Sequence, residues 1–281
     1  MSTFRAKQLI RDNLSIPTLP AVIQQITAMM ADPDSGTGEI GALIGQDAPL
    51  AAKVLRIANS AYYGLRERCL STEQASSVLG LRVLKNVVTQ AAVIQQFDHL
   101  RNYPGFDIDD LWQHSILTAT ACQEIARRCD GRSPLEPEEF YVCGLLHDLG
   151  KIVLLDSMGD EYLEVFQEAK VTGERLHCLE EQRFGFNHTD VGAMVALRWT
   201  LPTAAASAIQ FHHGPRENVQ DDPVVALVAN ANLIAHRVAE GRIEEAELTL
   251  DEETTKFLSL DRRYVPQIIE AVRASISNIV V

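Results

Sequence analysis

Apolar residues recur along most of the chain with the three- and four-residue spacing of an amphipathic helix. The first clear example is 19-LPAVIQQITAMM-30, in which Leu19, Val22, Ile23, Ile26 and Met30 fall on one helical face. Strand-like alternation with a period of two is confined to very short runs. The pattern therefore predicts an all-α fold.

Turn and capping residues divide the first part of the chain into helical segments. The long apolar segment 73–97 is interrupted at Gly80, and we expect two helices there, joined by a tight turn at 79-LGL-81. The predicted helical segments of this part are 19–30, 39–46, 48–64 and 73–97.

A change of composition at 101-RNYPGFDIDD-110, which holds Pro104-Gly105 and three aspartates, indicates a boundary between two helical subdomains. The predicted subdomains cover residues 1–103 and 104–281. In the second subdomain the same periodicity predicts helices near residues 111–129, 137–149, 160–171, 175–183, 188–197, 203–213, 222–240 and 262–277.

Composition and charge narrow the classes of partner. The chain of 281 residues carries 38 acidic and 25 basic side chains, a formal net charge of −13. An acidic surface disfavours nucleic acid and anionic membrane as partners, since both bind through basic groups. The five cysteines form no C-x-x-C pair, no secretory signal is visible, and no apolar run approaches a membrane span. These features predict a soluble cytoplasmic protein.

A histidine and an aspartate, His147 and Asp148, stand side by side in the apolar run 141-YVCGLLHDLGKIVLL-155. Such a pair either satisfies its own hydrogen bonds in the core or helps to hold a metal ion. Imidazoles with one carboxylate suit zinc, iron, manganese or nickel, whereas calcium prefers oxygen ligands. The further histidines placed on successive predicted helices, where ligands could converge, are His114, His188, His212 and His213.

The residues alone leave both interpretations of these histidines open, since a buried histidine with a hydrogen-bonded partner is common in protein cores. The remaining histidines, His99, His177 and His236, are expected on the surface.

Motifs along nearly the whole chain carry a family resemblance. They are 17-PTLPAVIQQI-26, 46-QDAPLAAKVLRIANSAYYG-64, 78-VLGLRVLKNVV-88, 112-WQHS-115, 144-GLLHDLGKIVL-154, 188-HTDVGAMVALRWTLP-202 and 209-IQFHH-213. The chain resembles the HD superfamily of metal-dependent phosphohydrolases, and in particular its regulatory HDOD branch, found in bacterial signalling proteins. The resemblance implies an HD-like helical bundle packed against an N-terminal helical subdomain, together a single HDOD unit spanning about residues 16–240.

The resemblance also implies a metal centre with one or two divalent ions of iron, manganese, zinc or nickel. The residues that match ligands of the first ion are His114, His147 and Asp148. The family's last ligand, a distant aspartate, is replaced by Asn232, or in another register by Asn230.

Further matches concern the second ion and the substrate. The histidines that match its ligands, with Asp148 shared between both ions, are His188, His212 and His213. Lys151 matches a residue that commonly contacts a substrate phosphate. The segment 214-GPRENVQDDP-223 lacks the G-Y-P signature of the branch that hydrolyses cyclic dinucleotides.

Two functions are therefore expected from the resemblance. The first is a signal-transduction module that acts through contacts with other signalling proteins and retains most of an HD-type metal site. The alternative is a metal-dependent phosphomonoesterase or phosphodiesterase that acts on a phosphate-containing small molecule. In that case Asp148 and Lys151 would be catalytic.

Overall fold

The computed structural model describes residues 14–32, 35–60, 63–129, 135–201, 203–214 and 222–276. Regular secondary structure within these residues is helical, apart from one isolated antiparallel bridge between Cys129 and Leu260. The prediction of an all-α fold is confirmed.

The chain divides into two compact units. One comprises residues 19–101 with the described residues that follow Arg273, and the other comprises residues 102–273 with the described residues that precede Leu19. The helices up to residue 102 are α1 (Ala21–Ala31), α2 (Thr37–Gly45), α3 (Ala48–Ala58), α4 (Thr72–Gln96) and a short 3-10 helix (Asp98–Asn102).

Helix α4 changes direction at Gly80, as its sequence predicts. Gly80 has φ 75° and ψ 163°, a backbone conformation that is almost confined to glycine, and the helical segments on either side are joined across this kink. Among the described helices, α4 is the one long and apolar enough to cross a membrane. Its most apolar 18-residue window is 56% buried inside the protein, because α4 packs against α2 and α3.

Helix α3 ends at Ala58, although the sequence favoured a helix up to residue 64. Asn59 is the C-cap residue, and its side chain makes three hydrogen bonds. Its Nδ2 atom donates to the carbonyl oxygens of Leu55 and Cys69, and its Oδ1 atom accepts the backbone N–H of Cys69 at 2.7 Å. The amide thus joins the end of α3 to the backbone of Cys69.

The helices after residue 102 form the second unit and run into the C-terminal segment. They are α5 (Ile108–Ala126), α6 (Pro137–Leu146), α7 (Leu149–Met158), α8 (Asp160–Thr172), α9 (Leu176–Phe184), α10 (His188–Arg198), α11 (Thr203–Phe211), α12 (Pro223–Ala239), α13 (Ile243–Thr249), α14 (Glu252–Phe257), a short 3-10 helix (Arg262–Tyr264) and α15 (Val265–Ile276).

The prediction of one helix over residues 137–149 was wrong. Helix α6 ends at Leu146, and α7, which the periodicity did not predict, begins at Leu149. Apolar residues continue on both sides of the junction, and no glycine or proline lies between Leu146 and Leu149. The junction therefore cannot be identified from the sequence pattern. The short helices α13 and α14 were also missed.

Helices α5 and α6 cross very closely. This crossing holds the end of α6, and with it the junction between α6 and α7, beside α5. A Cβ atom on Gly144 would lie only 2.6 Å from the Cα atom of Ala119, so the absent side chain permits the crossing.

Candidate metal centre

All six residues of the predicted donor set lie together in the second unit. They form two groups that share Asp148, and within each group the ligand atoms lie within 4.8 Å of one another. One group consists of Asp148, His188, His212 and His213. The other consists of His114, His147 and Asp148.

Helix ends present most of these side chains. His147 and Asp148 occupy the junction between α6 and α7, where the backbone leaves helical geometry at Asp148 (φ −101°, ψ 8°). Asn187 caps α10, its Oδ1 atom accepting the backbone N–H of Thr189 at 2.9 Å, and this cap makes His188 the first helical residue. His212 follows the last residue of α11 directly.

A second close approach brings α7 and α10 together at the centre. A Cβ atom on Gly150 would lie 1.9 Å from the carbonyl oxygen of His188, closer than any two such atoms can approach. Gly150 therefore allows the backbone of α7 to pass directly beside the first residue of α10. Gly150 itself lies in the first turn of α7.

Three of the histidines are oriented by hydrogen bonds at Nδ1. His147 Nδ1 lies 2.7 Å from the carbonyl oxygen of Gly144, and His212 Nδ1 lies 2.8 Å from that of Ile209. His188 Nδ1 lies 2.6 Å from a carboxylate oxygen of Glu180. These oxygens can only accept, so Nδ1 of each ring carries a proton and Nε2 is the nitrogen that faces the centre.

Four of the buried atoms that face the centre have no hydrogen-bond partner. They are Nε2 of His147, His188 and His212, and Oδ1 of Asp148. The four side chains are at most 4% exposed, and leaving so many buried polar atoms unpaired is unfavourable. Imidazole lone pairs and a carboxylate oxygen are ligands of transition metals, so the donor set fits a divalent ion of that class.

Asp148 lies between the two groups and presents a different oxygen to each. Its Oδ1 atom lies 3.4 Å from Nε2 of His188 and 3.4 Å from Nε2 of His212. Its Oδ2 atom lies 3.3 Å from Nε2 of His147 and 3.7 Å from Nε2 of His114. Each oxygen of the carboxylate thus faces a different pair of imidazoles.

Lys151 contacts the same carboxylate. Its Nζ atom donates to Oδ2 of Asp148 at 2.6 Å, and its side chain is 12% exposed. An ammonium group therefore lies beside the His114 and His147 side of the centre.

Burial and charge set the protonation of the centre. Burial lowers the pKa of His212 to about 4 and also lowers the pKa of His114 and His213, so these three rings are neutral at pH 7. Burial alone would raise the pKa of Asp148. Electrostatic interactions with His147 and Lys151 outweigh it and hold the pKa of Asp148 well below its ordinary value, so the carboxylate is ionised.

Two supporting residues were not identified from the sequence. Glu180 is fully buried, and its Oε2 atom accepts both the backbone N–H of His188 at 2.9 Å and Nδ1–H of the same residue. Its Oε1 atom accepts the hydroxyl of Tyr162 at 2.8 Å. Burial would raise the pKa of Glu180, but its contacts with His188 lower it, so Glu180 is a carboxylate.

Of the two asparagines considered for the last ligand position, Asn232 fits better. Its side chain is 3% exposed and its Oδ1 atom has no hydrogen-bond partner. It lies one helical turn before His236, whose ring stacks on that of His114 with 4.0 Å between the ring centroids. Asn230, by contrast, donates to the carbonyl oxygen of Ala226 in its own helix.

The three histidines expected on the surface differ in their surroundings. His99 and His236 are exposed, as predicted, although His236 stacks on His114. His177 is half-buried, and its ring stacks on that of His213 with 4.6 Å between centroids. Two of these rings therefore cover ligand candidates from outside.

Comparison with known proteins agrees with this architecture. Residues 16–215 match the family model described as HDOD domain. An uncharacterized protein of Treponema pallidum (strain Nichols) is 30% identical over 222 residues, which are 78% of this chain and 42% of that protein. The chain thus spans less than half the length of this relative.

Several solved structures have the same fold. An HDOD domain protein with unknown function from Geobacter sulfurreducens is similar with a TM-score of 0.81 and 24% identity, over 98% of this chain and 97% of that one. A "Putative phosphohydrolase" from Shewanella amazonensis SB2B has a TM-score of 0.77 and 22% identity, over 98% of both chains. The MmoQ response regulator of Methylococcus capsulatus str. Bath has a TM-score of 0.53 and 23% identity, over 91% and 98%.

Proposed function

The chain belongs to the HDOD domain family, and from this premise we propose that it is a regulatory signalling module built around a transition-metal centre. The module acts in the cytoplasm through contacts with other signalling proteins, and the metal serves structure or sensing rather than turnover. The observation that carries the proposal is the set of buried, unpartnered donor atoms around Asp148.

The closed character of the centre favours a structural or sensing role over catalysis. His147 and His188 are fully buried, and Asp148 is 1% exposed. Structural metal sites are enclosed by protein ligands, whereas catalytic sites keep a position open to water or substrate. Asn232 also removes one negative charge that the catalytic members of the superfamily have at this position, which weakens the hold on a dication.

Charge and redox chemistry support the proposed setting. The net charge of −13 favours protein partners over nucleic acid or anionic lipid. None of the five cysteines, all among the described residues, forms a disulfide, which agrees with the reducing environment of the cytoplasm.

A second candidate function is phosphoester hydrolysis, and the position of Lys151 favours it. Its ammonium lies beside Asp148, and its side chain and that of His114 are 12% and 14% exposed, so a phosphate group could approach from that side. Lys151 would then offset phosphate charge. A bound divalent ion would supply the Lewis acidity that activates water.

Metal analysis and activity assays on one preparation separate the candidates. The protein is purified without chelator, its iron, manganese, zinc and nickel content is measured, and it is assayed on phosphomonoesters and phosphodiesters with added Mn²⁺ or Fe²⁺. We expect bound metal without turnover. Asp148→Ala should lose the metal, and Asp110→Ala, which removes an exposed carboxylate, should retain it.

The possible results are distinct. Absence of metal from protein that melts cooperatively would overturn the proposed centre. Turnover that disappears in Asp148→Ala would replace the signalling module by the hydrolase. Crosslinking in the native cells that finds no protein contact would contradict the regulatory part of the proposal.

A further inference from the structure

We infer that the centre binds a single metal ion, on the Oδ1 side of Asp148, because the ammonium of Lys151 takes the place of a second cation on the Oδ2 side. This inference rests on the proposed function, since it assumes that the centre holds metal at all. It goes further by assigning the ion to one half of the donor set and giving the other half a built-in positive charge.

The Oδ1 side offers four ligand candidates, and three of them present an atom without a hydrogen-bond partner. Oδ1 of Asp148 has no hydrogen-bond partner, and neither has Nε2 of His188 or His212. His213 belongs to the same group, with all ligand atoms within 4.8 Å of one another. Three imidazoles and one carboxylate are enough to surround a divalent ion without a further protein ligand.

On the Oδ2 side Nε2 of His147 has no hydrogen-bond partner, but the carboxylate oxygen itself is already engaged. Oδ2 of Asp148 accepts the ammonium of Lys151 at 2.6 Å, and Nε2 of His114 lies 3.5 Å from the hydroxyl of Thr118. A dication bound to Oδ2 would compete with the ammonium for the same oxygen. It would also lie within a few ångströms of a like charge in a buried site, where repulsion is strong.

The buried charges around the two sides are unequal in the same direction. Behind the Oδ1 side, the carboxylate of Glu180 bonds His188 and adds a second negative charge to that of Asp148. On the other side, the resemblance assigns the last ligand position to Asn232, a buried neutral amide in place of a carboxylate, and Lys151 adds positive charge. The field therefore favours a dication at Oδ1 and opposes one at Oδ2.

Stoichiometry tests the role of Lys151. Metal-free protein is dialysed to equilibrium against rising Mn²⁺ concentrations, and bound manganese is measured by mass spectrometry. We expect one ion per chain for the wild type and for Lys151→Arg, which keeps the charge. Lys151→Met and Lys151→Gln remove the charge, and both should bind a second ion. We expect the affinity for the second ion to be at most about tenfold weaker than the affinity for the first.

A matched control separates this effect from a general change of surface charge. Lys170 is exposed and lies 4.9 Å from the centroid of the Phe166 ring, outside the donor groups. Lys170→Met makes the same chemical change and should leave the stoichiometry at one ion.

Removal of single histidines tests the position of the ion. In the wild type, His188→Ala should abolish binding, and His114→Ala should leave it intact. In the Lys151→Met background, His114→Ala should reduce the stoichiometry from two ions to one. Circular dichroism and thermal melts identify variants that fold.

Each contrary result has a separate meaning. No manganese bound by the wild type would overturn the proposed function together with this inference. Two ions bound by the wild type would overturn the inference alone. One ion in folded Lys151→Met and Lys151→Gln would contradict the role of Lys151, and loss of binding in His114→Ala but not in His188→Ala would contradict the assigned side.

Discussion

Glu180 holds His188 by two hydrogen bonds to one carboxylate oxygen. Oε2 of Glu180 accepts the backbone N–H of His188 at 2.9 Å and its Nδ1–H at 2.6 Å. Both residues are fully buried, so the ring has a fixed orientation and its Nε2 atom lies 3.4 Å from Oδ1 of Asp148. A carboxylate behind a histidine ligand fixes the tautomer of the ring and makes it a better donor.

The first prediction concerns this carboxylate. Glu180→Gln keeps the size of the side chain and an oxygen that can accept from His188, but it removes the negative charge. We expect metal affinity to fall by about 10- to 100-fold, as for other residues that support metal ligands. Calorimetric titration of metal-free protein with Mn²⁺ measures the change.

The neighbouring residue provides the control for that measurement. Glu181→Gln makes the same chemical change one position further along α9, where the side chain is only half-buried, and should leave the affinity unchanged. Equal affinities for Glu180→Gln and the wild type would show that His188 does not need the buried charge.

The second prediction concerns Tyr162, whose hydroxyl donates to the other oxygen of Glu180 at 2.8 Å. Tyr162 is fully buried, so Tyr162→Phe leaves a buried carboxylate oxygen without its donor. The free energy of unfolding of the metal-free protein should fall by about 1–3 kcal/mol, measured by urea denaturation. Tyr103→Phe removes an exposed hydrogen bond to Asp160 and should cost less. A larger loss for Tyr103→Phe would contradict the explanation.

The clustering of the candidate residues could be predicted from the sequence, but the residues that support them could not. Histidines and an aspartate in apolar surroundings are unusual enough to be noticed, and the six candidates do lie together. Glu180 and Glu181 are adjacent in the sequence and chemically identical. Only the packing of α9 against α8 and α10 makes one of them buried, and that packing is not local.

Some helix boundaries could likewise be predicted from the sequence, and others could not. Gly80 could be identified as a break because its conformation, φ 75°, is one that glycine adopts readily. The break at His147 and Asp148 could not, since apolar residues continue on both sides. The unequal engagement of the two oxygens of Asp148 depends on side-chain torsions of Lys151 and His188, which no sequence pattern records.

The third prediction concerns thiol reactivity. Cys178 is exposed, whereas Cys122 and Cys143 are buried. Burial raises the pKa of Cys143 to about 12 and raises the pKa of Cys122 well above its ordinary value, so neither forms the reactive thiolate at neutral pH. Alkylation of the native protein at pH 8 followed by peptide mass spectrometry should label Cys178 rapidly and the two buried thiols only after unfolding. Rapid labelling of Cys143 in folded protein would contradict its placement.

The last prediction concerns the close passage of α7 beside α10. In Gly150→Ala the new Cβ atom would lie 1.9 Å from the carbonyl oxygen of His188, and this backbone cannot yield without moving a ligand candidate. We expect the free energy of unfolding to fall by about 3 kcal/mol, at the upper end of the cost of overpacking a core. Chemical denaturation measures the change in the free energy of unfolding.

Gly38→Ala is the matched control, because Gly38 lies in α2 with no atom within 4 Å of its added Cβ. Alanine favours a helix more than glycine does, so Gly38→Ala should raise the stability by up to about 1 kcal/mol. Similar stabilities for the two variants would show that the helices do not approach as closely as the structure indicates.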